Sequence, residues 1–364
     1  MVEKLKAQDV AHQVAMVFDL NKCMGCQTCS IACKTLWTRQ EGEEYQWWMS
    51  VNTQPGQGYP KAWETMGGGY KNNAINPGEI PTRQAFGGGW EFNYDEVFYS
   101  GKGNSVHLHA IDKGDGTTHW GMNWDEDQGG GEWPNAYYFY LPRLCNHCTK
   151  PVCVTACPSG AMYKRHEDGV VLRDESKCQG ARFCQEACPY KKIFYNYVRD
   201  ICQHCILCFP RLEENVAPVC ARQCPGRLVF VGLLDDTSGP IHKLVYEWEI
   251  ALPLHPEYGT EPNIFYVPPL SPYKINDDFS IDETQMRIPP EYLEYLFGPK
   301  VHGVLDKLQQ ELKKVRNGGT SEILDTLIVY KWLDLFGPYT VDPSTLDRRP
   351  EKIAVSLKRK ESKE

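Results

Sequence analysis

The stretch Cys23-Met24-Gly25-Cys26-Gln27-Thr28-Cys29-Ser30-Ile31-Ala32-Cys33 decides how the rest of the chain is read. Its Cys-x2-Cys-x2-Cys-x3-Cys spacing is that of a bacterial ferredoxin loop. In such a loop three closely spaced thiolates wrap one [4Fe–4S] cube, and the fourth, entering a helix that turns away, reaches a neighbouring cluster. The grammar recurs as Cys145-x2-Cys148-x4-Cys153-x3-Cys157, followed by Pro158, and as Cys205-x2-Cys208-x11-Cys220-x3-Cys224, followed by Pro225. Between them a third window, Cys178-x2-Ala181-x2-Cys184-x3-Cys188, followed by Pro189, carries alanine where its second thiolate belongs. A methyl group cannot bind iron, so one cluster is expected to be an iron short, as a [3Fe–4S] centre. Fifteen of the 16 cysteines then serve three [4Fe–4S] clusters and one [3Fe–4S] cluster. Cys202 is left over. Spacing alone leaves its place open, because Cys202-x2-Cys205-x2-Cys208 is itself a ligand-like run. Keeping the fourth window parallel to the second reads Cys202 as a packed thiol near a cluster.

Competing uses of cysteine fit less well. Zinc sites pair Cys-x2-Cys knuckles across a dozen or so residues, unlike four ligands packed together with a Cys-Pro ending. Sixteen cysteines in 364 residues are too few for a small disulfide scaffold and too clumped for scattered core thiols. Haem attachment needs histidine after Cys-x2-Cys, and here Thr149 follows Cys148 and Phe209 follows Cys208.

Composition narrows the function further. The 41% hydrophobic and 24% charged fractions are those of a globular chain, and a net charge of −8 without a basic stripe argues against nucleic-acid binding. Apolar runs such as Val14-Ala15-Met16-Val17-Phe18 are far shorter than the roughly 20 residues of a membrane span. The N-terminal residues show neither an apolar core nor twin arginines, so export is expected only through a partner's signal. No G-x-S-x-G, H-E-x-x-H or phosphate-loop motif offers catalysis.

Four segments are expected: 1–40, the first cysteine segment; 41–138, a loop-rich insertion with Gly triplets at 67–69, 87–89 and 129–131; 139–235, the remaining cluster segments; and 236–364, a C-terminal extension. The Asp168-Gly169 pair predicts a hairpin between the runs Ala161–Arg165 and Gly169–Arg173, and further strands are predicted at Ile193–Tyr197 and Leu228–Gly232. The unit thus repeats as cysteine loop, helical turn, Cys-Pro, strand. In the extension, Val301, Val304, Leu305, Leu308, Leu312 and Val315 keep helical spacing, and a second helix is predicted from Ile323 to Phe336, opened by Ser321 and stopped at Gly337-Pro338. The charged tail after Arg348 reads as a solvated end. Lys22, Lys34, Arg143, Lys150, Lys177, Arg182, Arg222 and Arg227 flank the ligands, where cations raise a cluster's reduction potential, some of them serving only as surface charges.

The ligand pattern, with its missing second cysteine in the third window, resembles the iron–sulfur β subunit of the type II DMSO-reductase-family molybdoenzymes. That group comprises the nitrate, selenate and (per)chlorate reductases and the dimethylsulfide and ethylbenzene dehydrogenases. Phe18–Cys23, Trp124–Asp127, Leu144–Lys150 and Ala251–His255 support the resemblance, which covers nearly the whole chain. In length the chain is similar to the periplasmic ethylbenzene dehydrogenase and perchlorate reductase type rather than to the longer membrane-bound nitrate reductase subunit. The resemblance implies an α+β fold of two ferredoxin-like double-cluster modules, with a long loop-rich insertion and a helical C-terminal extension that packs on a partner. It implies that Cys23, Cys26, Cys29 and Cys224 hold the first cube and Cys33, Cys205, Cys208 and Cys220 the second. Cys145, Cys148, Cys153 and Cys188 would hold the third, and Cys157, Cys178 and Cys184 the three-iron cluster.

The implied role is electron transfer between a molybdenum-cofactor catalytic α subunit and a haem b γ subunit or equivalent carrier, with no catalytic site on this chain. The complex would be an oxyanion reductase or a hydrocarbon or sulfide dehydrogenase. It would be periplasmic and co-exported with the α subunit, the cytoplasmic face of the membrane being the alternative. A stand-alone polyferredoxin is the rival, disfavoured because a free carrier needs little beyond its cluster loops.

Overall fold

The computed structural model describes residues 10–87 and 129–346. Residues 1–9, two glycines of the triplet at 87–89, Trp124–Asp127 and the tail after Arg348 lie outside the described residues.

β1 (Val14–Asp19) leads into the first cysteine loop and α1 (Thr28–Trp37). β2 (Ser50–Gln54), the short strands β3 (Tyr70–Lys71) and β4 (Ala74–Ile75), and β5 (Phe139–Arg143) precede the second window. There follow α2 (Val152–Ala156), the hairpin of β6 (Met162–Lys164) and β7 (Val171–Arg173), and α3 (Phe183–Ala187). A second hairpin, β8 (Ile193–Asn196) and β9 (Ile201–His204), delivers the chain to α4 (Phe209–Leu212), α5 (Val219–Arg222) and β10 (Val229–Leu233). The extension holds β11 (Leu252–Pro253), β12 (Ile264–Val267), β13 (Tyr273–Ile275), β14 (Ile281–Met286), α6 (Pro290–Phe297), α7 (Val301–Arg316) and α8 (Glu322–Ile328). Helices and strands are mixed and short, an α+β arrangement.

β1 reads as an unbroken apolar run because it is an inner strand, all six residues buried, in a sheet of order β10-β1-β12-β11. It pairs antiparallel with β10 and parallel with β12, so the N-terminal segment, the last cysteine window and the extension share one core. The Asp168-Gly169 hairpin forms as predicted, Met162 opposite Arg173, with Gly169 left-handed at φ 68°. In three windows the order helix, Cys-Pro, strand is realised: α2 before β6, α3 before β8 and α5 before β10.

One expectation for the extension needs correction. The helix from Ile323 stops at Ile328, because Val329 turns left-handed at φ 57° and is buried; the chain resumes as a 3₁₀ turn, Trp332–Leu335, that inserts Leu335 and Phe336 into the core. α7 buries Val301, Val304, Leu305 and Leu308 and then overruns its support, leaving Val315 exposed. α6, which carries buried Leu293, Leu296 and Phe297, is an additional helix that the sequence reading did not find. Among the described residues no helix is long and apolar enough to cross a membrane.

Candidate functional site

Strand register places the cysteines. Phe18 of β1 pairs with Val229 of β10, which sets Cys23, five residues after Phe18, beside Cys224, five before Val229. α1, carrying Cys29 and Cys33, packs on α5, carrying Cys220; α2, carrying Cys153, packs on α3, carrying Cys184. Ile193 of β8 pairs with His204 of β9, so that one hairpin runs from the end of the third window to the start of the fourth.

Within each window the backbone repeats one device. Two residues after the first cysteine stands a left-handed residue: Gly25 (φ 66°), His147 (43°), Gly180 (70°) and Leu207 (49°). Its amide donates back to the first sulfur, at 3.3 Å for Leu207 to Cys205 Sγ, and likewise in the other three. Turned amides of this kind make a concavity that favours an anion, as at iron–sulfur sites. The third window keeps the device although its next ligand position is Ala181.

Four cavities result. One is bordered by Cys23, Cys26, Cys29 and Cys224; one by Cys33, Cys205, Cys208 and Cys220; one by Cys145, Cys148, Cys153 and Cys188. The last is bordered by Cys157, Cys178, Cys184 and Cys202, with Ala181 in its wall. All 16 cysteines are therefore distributed in fours. Among the described residues no three His, Cys, Asp or Glu side chains converge as they would on a single metal ion. The sulfurs frame volumes rather than points, which suits a polynuclear cluster better than tetrahedral zinc at about 2.3 Å from each sulfur.

Burial pushes the Cys23 thiol up to about 11 and those of Cys29, Cys148 and Cys205 up to about 12. Left to themselves these thiols keep their protons. Bound to iron they would be held as thiolates, because a metal-bound thiol is deprotonated outright. Trp37 Nε1 donates to Cys208 Sγ at 3.1 Å, a bond that strengthens as the sulfur gains negative charge.

The flanking cations divide by burial. Lys34 is buried and donates to the carbonyls of Glu43, Glu44 and Gln46, burial drawing its ammonium down to about 7. Arg143 is buried, lies 3.5 Å over the Trp63 ring and donates to the carbonyls of Tyr59 and Tyr190. Lys22 bridges the carbonyls of Arg227 and Leu327, and Arg227 stands 5.6 Å over Trp332. Arg182 stands 4.7 Å over Tyr195, and Arg222 lies 3.6 Å from Asp342. Lys150 and Lys177 are surface groups paired with Glu261 at 2.6 Å and Asp174 at 3.2 Å.

Three buried lysines escaped the sequence reading. Lys164 lies in the field of Cys148, Cys145 and Cys153, and Lys191 in that of Cys188. Lys192 acts on Cys205, Cys33 and Cys145 at once, so it sits between the second and third cavities. A usable signal was present: Lys191-Lys192 follows Cys188-Pro189-Tyr190 directly.

Known proteins resemble this chain over most of its length. The 4Fe-4S dicluster domain matches residues 136–234. The chain is 52% identical over 330 residues to the respiratory nitrate reductase subunit beta of Haloferax mediterranei, covering 88% of this chain and 92% of that protein. It is 50% identical over 329 residues to the selenate reductase subunit beta of Thauera selenatis, covering 89% and 98%. To the dimethylsulfide dehydrogenase subunit beta of Rhodovulum sulfidophilum it is 47% identical over 328 residues, covering 90% and 99%. The chain belongs to the family of iron–sulfur β subunits of the nitrate, selenate, chlorate, perchlorate and dimethylsulfide molybdoenzymes.

Proposed function

We propose that this chain is the electron wire of a molybdenum oxidoreductase, passing electrons through four iron–sulfur clusters between a catalytic α subunit and a haem b γ subunit or equivalent carrier. The observation that carries the reading is the linear order of the cavities. Helix α1 carries Cys29 of the first cavity and Cys33 of the second; Leu144 of the second precedes Cys145 of the third; Met162 lines both the third and the fourth. Exposed side chains stand at both ends, Met24 and Cys26 by the first cavity and Phe183 by the fourth. When bound, the clusters supply one-electron redox chemistry. The chain's own residues hold them, screen them from water and set their potentials through buried cations and N–H···S bonds.

The fifteen cysteines of the four windows serve as ligands in the crossed sets that the resemblance implies. They form two double-cluster modules, windows one with four and two with three, on each of which two helices pack. Residues 41–138 are then a loop-rich insertion between the cluster segments, and 236–364 a partner-packing extension. The complex works in the periplasm, exported with its α subunit, and the substrate is that subunit's property. Cys205→Ser in the assembled complex tests the reading. Activity coupled to the physiological carrier is lost, while α-subunit activity with an artificial dye persists. Unchanged carrier-coupled turnover, or a chain that purifies active without any large subunit, contradicts it.

A further inference from the structure

The fourth cavity holds one cysteine more than a three-iron cluster needs. β8 and β9 are fully paired, with Tyr195 opposite Cys202 and Ile193 opposite His204, and alternation along a strand puts Cys202 and His204 on one face. That face walls two cavities: Ile193 and His204 border the third, and Cys202 borders the fourth. Gln203, on the other face, is tied to Gln46, Asn196 and Glu43 and so holds the register against slippage.

Cys202 is buried, 2% exposed, and packs with Cys184 and the partly buried Cys157 and Cys178 in a small apolar cluster of its own. It does not border the second cavity, whose four cysteines are Cys33, Cys205, Cys208 and Cys220. Like the second, the fourth cavity is lined by four cysteines. Its loop retains the left-handed Gly180 and the amide turned back to Cys178. Only the ligand at Ala181 is missing from the loop, and a sulfur enters the same cavity from β9. The Cys202 thiol is close enough to share hydrogen bonds with both Cys178 and Cys184.

We infer that Cys202 is the fourth ligand of the fourth cluster, supplied from the β8–β9 hairpin in place of residue 181, and that this cluster is a [4Fe–4S] cube. The inference rests on the four-cluster reading above and changes its count to four cubes. In the assembly this implies, ferrous iron would enter the open corner of a one-electron-reduced three-iron core, [3Fe–4S]0 and Fe2+ together giving [4Fe–4S]2+ with no further electron, and Cys202 Sγ would bind that iron and release its thiol proton.

Electron paramagnetic resonance and iron analysis of the anaerobically purified complex test it without a mutation. The oxidised wild type shows no three-iron signal and holds about 16 irons per chain, four for each cube. Cys202→Ala gains the three-iron signal and loses about one iron, whereas Ala181→Cys leaves both spectrum and iron content as in the wild type. A three-iron signal in the wild type with about 15 irons, unaltered in Cys202→Ala and abolished in Ala181→Cys, overturns the assignment and makes residue 181 the deciding position. About 8 irons or fewer in the wild type means instead that the four-cluster reading itself has failed.

Discussion

Gly68→Ala is expected to loosen the third cluster from a distance in sequence of more than a hundred residues. Gly68 has φ 110°, and a Cβ built on it lies 2.7 Å from the Ala187 carbonyl oxygen, 2.9 Å from Pro189 N and 3.0 Å from Cys188 C. All three are backbone atoms of the turn that carries Cys188. Neighbouring Gly69 donates to Ala187 O at 2.9 Å, so the contact has no slack. An L side chain in that backbone conformation costs about 1–3 kcal/mol, and forcing a methyl group into close-packed backbone adds about 1–3 kcal/mol. Gly318→Ala separates the two terms: its φ is 85°, but nothing lies within 4 Å of the added Cβ, so it carries the strain without the clash. If about 2 kcal/mol of the clash appears in local opening of the Cys188 turn, iron leaves that site about 30-fold faster. The assay is chelator challenge of the anaerobic holo-complex, followed by iron release and by loss of one cluster's spectral signature. Gly68→Ala releasing iron no faster than Gly318→Ala would refute the reasoning, since the insertion would then not brace the Cys188 turn.

Other expectations follow from the buried charges. Glu175, 3% exposed, bridges Arg173 and Arg199, and Glu175→Ala leaves two cations uncompensated beside the third window, at a cost of about 3–5 kcal/mol read as a lower denaturant midpoint; an unchanged midpoint contradicts it. Lys192→Met removes a buried donor between the second and third cavities. Potentiometric titration should show both neighbouring clusters becoming harder to reduce, by about 59 mV for each tenfold of lost attraction, and unmoved potentials would deny the lysine a charge there. His255 is buried and held by Glu257 at 2.7 Å and Glu64 at 3.1 Å; burial works to lower its pKa, and the two carboxylates outweigh it and raise it. Its contribution is therefore fully present below about pH 6.5 and lost as pH rises through the folded-state pKa. Glu64→Gln should flatten that fall in the denaturant midpoint, and an unchanged slope would assign it to other groups.

The cysteine loops were legible because ligand spacing is local: within each window the thiols recur at short intervals over a loop and a helical turn, and three of the four windows end in Cys-Pro. The hairpin at Asp168-Gly169 was legible for the same reason, as was β1, whose unbroken apolar run reports burial on both faces. What joins them was not. No pattern in Val14–Asp19 announces that β10 and β12 flank it, yet that pairing brings Cys23 to Cys224. Gly67–Gly69 reads as a turn, and all three residues do have positive φ, but the need for glycine at 68 comes from Cys188 pressing on it across the fold. The break at Val329 reflects what the core of a folded chain will accept, against a sequence that favours continuing the helix. Cys202 shows the limit most plainly: spacing offered it to the Cys205–Cys208 run, while the register of β8 with β9 turns it into a different cavity.

Native mass spectrometry of the anaerobically purified complex tests the central claim most directly, since it weighs the metal bound to this one chain. Four cysteine-lined cavities predict an added mass of four iron–sulfur cubes, about 16 irons and 16 sulfides, with no zinc. An added mass of only two cubes, or of zinc ions, would contradict the account.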